Sequence, residues 1–199
     1  MKVDRPGLQL HYREGYTSMD LAQSLTPDKK NPANASAPPI SQFRAAMGHG
    51  KPDVTELLFD VTVLPSPAPA KPGESSGPAL MGSPNPKLKG KPLVRYDFTY
   101  MLPAGEITLA GDDPSGTRTG SVEVVVAAYS ADGDLLNSTD KATAFTINAD
   151  QVAHSLQQPS RSDVQLDLPP GKVFVRVGIL DVPSQKMGIL EIPQTVARE

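Results

Sequence analysis

The chain has 199 residues, a net charge of −3, and neither cysteine nor tryptophan. That balance offers no basic surface for nucleic acid and no acidic block for buffering cations. Without cysteine, disulfides and thiolate zinc sites are excluded, while the compartment stays open because many exported proteins also lack it.

The first thirty residues contain no apolar run long enough for a signal peptide, and no stretch of the chain reads as a membrane span. Leu8, Leu10 and Tyr12 alternate with Gln9, His11 and Arg13 between Pro6-Gly7 and Gly15. This is a strand with one apolar face and no partner nearby in sequence. Residues 1–16 therefore read as the end of another domain, and 17–52 as a polar linker. Within the linker Ile40, Phe43 and Met47 recur at helical spacing after Pro38-Pro39. The spacing predicts a helix over 40–47 lying on the following domain, with Gly48 in the left-handed position just past its end.

The domain proper is expected over 53–199. Val54 to Leu64 reads as its first strand, with Leu57, Phe59, Val61 and Val63 on one face. Of the chain's 21 prolines, eight fall between Pro65 and Pro92. A proline-rich stretch cannot be a central strand, so 65–92 is expected to be a long, flexible loop. Val94, Tyr96, Phe98, Tyr100 and Leu102 form the inward face of the second strand, which Ile107 to Leu109 could extend. Ser121 to Tyr129 is apolar on both faces, as an interior strand requires. Asp132-Gly133 predicts a type I′ hairpin returning through Leu135-Leu136. The alternation then breaks across Asn137 to Asp140 before Thr143, Phe145 and Ile147 resume it, which points to a bulge or a switch between sheets. Asp150 is a candidate cap for a short helix, Gln151 to Gln158, burying Val152 and Leu156. Val164, Leu166 and Leu168 lead to a Pro169-Pro170-Gly171 corner. Beyond it Val173, Val175, Val177 and Ile179 face one way and Phe174, Arg176, Gly178 and Leu180 the other, and a closing strand follows to Val196. Some seven strands with one or two short helices argue for an all-β fold, an immunoglobulin/fibronectin III-like two-sheet sandwich.

Two resemblances attach to these residues. Leu168-Pro169-Pro170-Gly171 and the strand after it resemble the corner before the sixth strand of fibronectin type III domains. Those domains usually tie the corner with a tyrosine hydroxyl, where this chain has Val173 and Phe174. A broader match covers nearly the whole chain. Arg5-Pro6-Gly7 with Tyr12-Arg13-Glu14-Gly15-Tyr16 resembles the segment closing the A domain of the acidobacterial von Willebrand factor A-related family. Phe59 to Val63, Val125 to Tyr129 with Asp132-Gly133, Leu168 to Gly171, Arg176-Val177-Gly178 and Gly188 to Pro193 resemble the sandwich that follows it. The resemblance implies an exported bacterial protein of which this chain is the C-terminal part. No D-x-S-x-S motif occurs here, so the A domain's metal site is not carried over.

The motifs that suggest chemistry lack their contexts. Gly73-Glu74-Ser75-Ser76-Gly77 fits G-x-S-x-G, with His154 following in the right order. The serine, however, sits in the proline-rich loop rather than on a strand-to-helix turn. Ser138-Thr139-Asp140-Lys141 fits S-x-x-K, which belongs at the start of a buried helix and here follows a hairpin. Gly90-Lys91 lacks the rest of a phosphate loop. His11, His49 and His154 have no carboxylate at metal-ligand spacing and read as surface residues. Asp132 and Asp134 read as hairpin chemistry, Asp112-Asp113 as a turn, and Lys87, Lys89 and Lys91 as solubilising charge on the loop.

No enzyme activity, cofactor or metal is expected. The residues favour a non-catalytic accessory or protein-interaction module, with a protein partner or the A domain itself as its partner. Leu8, Leu10, Tyr12 and Arg13 are the candidate strand for pairing at a sheet edge. The alternative is a module binding cell-surface polymer or carbohydrate, which would need an exposed aromatic row.

Overall fold

The computed structural model describes residues 39–66, 80–111 and 116–197. Among these residues eight strands form two antiparallel sheets. They are β1 (Val54–Thr55), β2 (Asp60–Pro65), β3 (Val94–Leu102), β4 (Arg118–Tyr129), β5 (Leu135–Ile147), β6 (Ser160–Leu168), β7 (Gly171–Asp181) and β8 (Met187–Val196). Two short helices accompany them, α1 (Pro39–Ala46) and α2 (Ala149–Ser155). The five-stranded sheet runs β1-β8-β7-β4-β5 and the three-stranded sheet β2-β3-β6. The described residues thus form an all-β sandwich. Setting aside the two-residue β1, strands one, two and five share a sheet and strands three, six and seven share the other. That is the immunoglobulin-like distribution, with the fourth strand placed beside the third.

The period of two sorts the side chains as the sheets require. Tyr96, Phe98, Tyr100 and Leu102 of β3 and Val164, Leu166 and Leu168 of β6 meet Val122, Val124 and Val126 of β4 and Val173 to Ile179 of β7 in one buried core. β4 lies inside its sheet and carries α1 over its outer face, so Val125 and Ala127 are buried as well. Tyr100 is fully buried; its hydroxyl donates to the Val125 carbonyl at 3.1 Å, tying the two layers together.

Several expectations are corrected. The predicted first strand divides, with β1 in one sheet and β2 in the other. Between them Leu57 donates to the Met187 carbonyl and its own carbonyl passes over Gly188. A Cβ on Gly188 would lie 2.3 Å from that oxygen, so the crossing between layers needs glycine there. The hairpin at Asp132-Gly133 forms, but Gly133 alone has positive φ. Gly133 N–H bonds to the Ser130 carbonyl and Ser130 N–H to that of Asp134. This is a three-residue loop with a left-handed glycine, not type I′. The phase break in β5 is a bulge: Ala128 faces Asn137 and Tyr129 faces Leu135, leaving Leu136 unmatched. After α1 the left-handed residue is Gly50, not Gly48. The second helix is shorter than its apolar spacing suggests; Asn148 precedes it in place of an Asp150 cap, and Leu156 is exposed. Residues 107–109 do not extend β3; only an isolated bridge, Ala110 with Thr119, follows.

The predicted 65–92 loop is anchored in its second half. Ser83 N–H and Asn85 N–H donate to the Ser138 and Leu136 carbonyls of β5, both at 2.8 Å, while Met81 bonds to Asp167 of β6. Proline cannot donate, but here the donors flank Pro84 and the segment lies at a sheet edge, where proline is tolerated. A 3-10 turn, Pro86–Leu88, then buries Leu88.

Candidate functional site

Two features of the sandwich are built from more than its apolar core, one on the five-stranded sheet and one where the two sheets part. The first is on the outer face of that five-stranded sheet. Arg176 stands in the middle of β7, where the alternation turns it away from the core, yet its side chain is only 1% exposed. Every hydrogen bond it makes goes to one short stretch. Nη1 donates to the Lys51 carbonyl at 2.9 Å and to Asp53 Oδ1 at 3.0 Å; Nη2 donates to the Ala46 carbonyl at 3.0 Å and the Pro52 carbonyl at 3.1 Å. The Ala46 carbonyl is at the C-terminal end of α1, where unpaired acceptors and the helix dipole favour a cation.

Neighbouring groups extend this clamp. Tyr129 Oη donates to the Met47 carbonyl at 3.0 Å, and burial pushes its phenol up from the ordinary value. Glu191 Oε2 accepts from Gly50 N–H at 3.1 Å and lies 2.9 Å from His49 Nδ1. The His49 ring rests between Tyr129 and Phe174, with centroids 5.9 and 4.8 Å away. His49 is therefore half-buried with a carboxylate partner 142 residues on, not a surface residue. At the other end, Arg44 of α1 pairs with buried Glu123 at 3.0 Å and with Asp140 at 3.1 Å. Beneath α1 lies Gly178: a Cβ there would come within 2.5 Å of Met47 Sδ and 2.9 Å of the Phe43 ring. Only glycine lets Phe43 and Met47 sit this close to the sheet.

The second feature is the side opening between β5 and β6, each the last strand of its own sheet. Its upper half is closed by Met81–Asn85. Asp167 holds this staple with a fork to Arg95 (Nε to Oδ1 2.9 Å, Nη2 to Oδ2 3.1 Å) and accepts from Met81 N–H at 2.8 Å. Buried Asn137 donates to the Met81 and Asp167 carbonyls at 3.0 and 2.7 Å. Leu136 and Ser138 turn their carbonyls to this edge, so by the period of two Ala142, Ala144 and Thr146 present their N–H and C=O groups to the same side.

Below the staple the sheets part into a cleft of about 520 Å³. Its walls are Lys141, Thr143, Phe145 and Ile147 of β5, the start of β6, and His154 and Ser155 of α2; Leu102, Val122 and Ile179 reach it from the core. No carboxylate lines it. Lys141 Nζ donates to the Asp163 main-chain carbonyl at 3.1 Å. Arg161 grips the Asp163 carboxylate, which Thr99 also meets, and these contacts hold Asp163 below the usual carboxylate range.

The sequence candidates fall as follows. Leu8, Leu10, Tyr12 and Arg13, His11, Asp112-Asp113 and Ser75 lie outside the described residues. His154 lines the cleft, and of the S-x-x-K run Lys141 does too, on a strand rather than a helix. Asp134 meets Lys87 at 3.4 Å on the surface. Among the described residues no three His, Cys, Asp or Glu side chains gather as a metal site, and no helix is long and apolar enough to cross a membrane. Sequence reasoning missed the clamp, although an arginine inside the run VFVRVGIL was its visible signal. It missed the cleft because nothing in β5 distinguishes a wall from a packed face. In comparison with known proteins, no family model matches the chain and no curated protein does either.

Proposed function

We propose that this is a non-catalytic accessory module. One face of it fixes the linker that leads in from the preceding part of the protein, and its β5 side is left to meet a protein partner. The observation that carries the reading is Arg176: a fully buried guanidinium whose hydrogen bonds all go to Ala46–Asp53. Burying an arginine is costly unless its donors are satisfied; here both Nη atoms are, each with two acceptors, and Nε is not. Doing so to hold a linker makes sense where the linker's path matters. The resemblance to the C-terminal part of von Willebrand factor A-related proteins points the same way, since Arg176-Val177-Gly178 and Gly188–Pro193 are among the residues that carry it. Partner contact fits the lower edge of β5, where a strand can add to Ala142–Thr146. Pro65 sits on the outer strand β2, and Pro193 on the part of β8 beyond its short pairing with β1. A carbohydrate platform finds less support, because no aromatic side chain among the described residues is exposed.

Reading the coding sequence upstream of Met1 tests the accessory role. An in-frame A domain carrying D-x-S-x-S is the expected result. A coding sequence that starts at Met1, with no such domain encoded beside it, would remove the reading.

A further inference from the structure

We infer that the cleft between β5 and β6 is a binding site for an amphipathic anion, a free single-chain carboxylate of the fatty-acid class. Its volume, about 520 Å³, lies within the ~300–1,000 Å³ of small-molecule pockets. The floor is apolar and continuous with the core: Leu102, Ile107, Val122, Phe145, Ile147 and Ile179 all reach it. An acyl chain laid along this floor would remove apolar surface from water, the main source of affinity for such a ligand.

The rim sets the sign of the head group. Lys141, Arg161 and His154 line the cleft with no carboxylate among them. Arg161 is already committed to Asp163. Asp163 at the rim also feels Lys141, but its carboxylate is gripped by Arg161 and Thr99. Lys141 spends one hydrogen bond on the Asp163 main-chain carbonyl, and an ammonium group has three donors. Lys141 is therefore the partner for the carboxylate, with the Ser160 and Ser162 hydroxyls on the facing wall as further donors. A cationic head would meet Lys141 as a like charge.

Calorimetric titration of the full chain with dodecanoate, kept below its micelle concentration, tests this. The expected result is saturable one-to-one binding, with no binding of dodecyltrimethylammonium. Lys141→Gln should weaken dodecanoate about tenfold through loss of a charge-assisted hydrogen bond. Ser162→Phe, which fills the cleft and leaves the charge in place, should abolish binding; circular dichroism of both variants checks that the sandwich is intact. Absence of saturable dodecanoate binding to the folded wild-type chain would overturn the inference. So would equal binding of the cationic amphiphile, or affinity unchanged in folded Ser162→Phe.

Discussion

The outer face of the five-stranded sheet and the opening beside its last strand, β5, are finished in opposite ways. Over the face, the polar groups near the linker are almost all paired: the Arg176 Nη atoms take carbonyls and Asp53, Glu191 takes Gly50 N–H and His49, Tyr129 takes Met47, and Arg44 reaches Glu123, while Arg176 Nε alone is left over. Along the opening only the upper half is treated so, through Asn137, Asp167 and the Met81–Asn85 staple. Below it the walls mix Thr143, Ser160 and Ser162 with Lys141, Phe145 and Ile147, and the core is reached from outside. The difference teaches where the fold is fixed and where it has room. A linker is held by hydrogen bonds that cannot be replaced by water without unburying an arginine, whereas the cleft is closed by nothing comparable.

Substitutions should divide along this line. Arg176→Ala leaves the Ala46, Lys51 and Pro52 carbonyls and the Asp53 carboxylate without their donor, and is expected to cost about 3 kcal/mol, the upper end of the range for acceptors left unpaired. Urea unfolding measures it. Gly178→Ala forces the Phe43 and Met47 side chains off the sheet and should cost roughly 1–3 kcal/mol, as overpacking does. Asn137→Ala removes the side-chain donor to the Asp167 carbonyl of β6 and one of the two donors to the Met81 carbonyl of the staple, at about 1–3 kcal/mol. Ser162→Ala on the cleft wall should stay within about 0.5 kcal/mol, like an ordinary surface change. If Arg176→Ala and Ser162→Ala proved equally mild in the same unfolding assay, the contrast between the two regions would collapse.

Two titrations sharpen it at the extremes of pH. Asp163, at the rim of the opening, has its folded pKa depressed by Arg161 and Thr99. Its contribution is present above the unfolded value and is lost as pH falls through the lower folded one. It is largely exposed, so the effect on acid unfolding should be small, and Arg161→Gln should remove it. Tyr100 is the opposite case: burial pushes its phenol well above the ordinary range. Its contribution is complete below the unfolded value near ~10 and declines as pH climbs toward the folded one. Tyr100→Phe should flatten the alkaline fall in stability, read as urea midpoints across that pH range.

The sheets were legible because their side chains alternate without interruption. Tyr96 to Leu102 and Val173 to Ile179 face the core as the period of two demands, and β4, apolar on both faces, lies inside its sheet. What alternation cannot report is which sheet a strand joins. Leu57, Phe59, Val61 and Val63 keep one face toward the core even though the chain changes layers between β1 and β2. The proline-rich loop was misread in its second half for a different reason. Pro84 hides two competent donors, Ser83 and Asn85, whose acceptors lie more than fifty residues away. The clamp joins residues separated by well over a hundred positions, and only the anomaly of Arg176 in an apolar strand hinted at it. The cleft depends on a gap between the last strands of the two sheets, a property of topology rather than of any residue.

Amide hydrogen exchange of the wild-type chain and Arg176→Met tests the clamp most directly. Slow exchange is expected over Met47–Thr55 in the wild type. It should be lost in the variant while β3 and β6 keep their protection. Equal protection of Met47–Thr55 in both proteins, or none in either, would contradict the assignment of Arg176 as the group that holds the linker to the sheet.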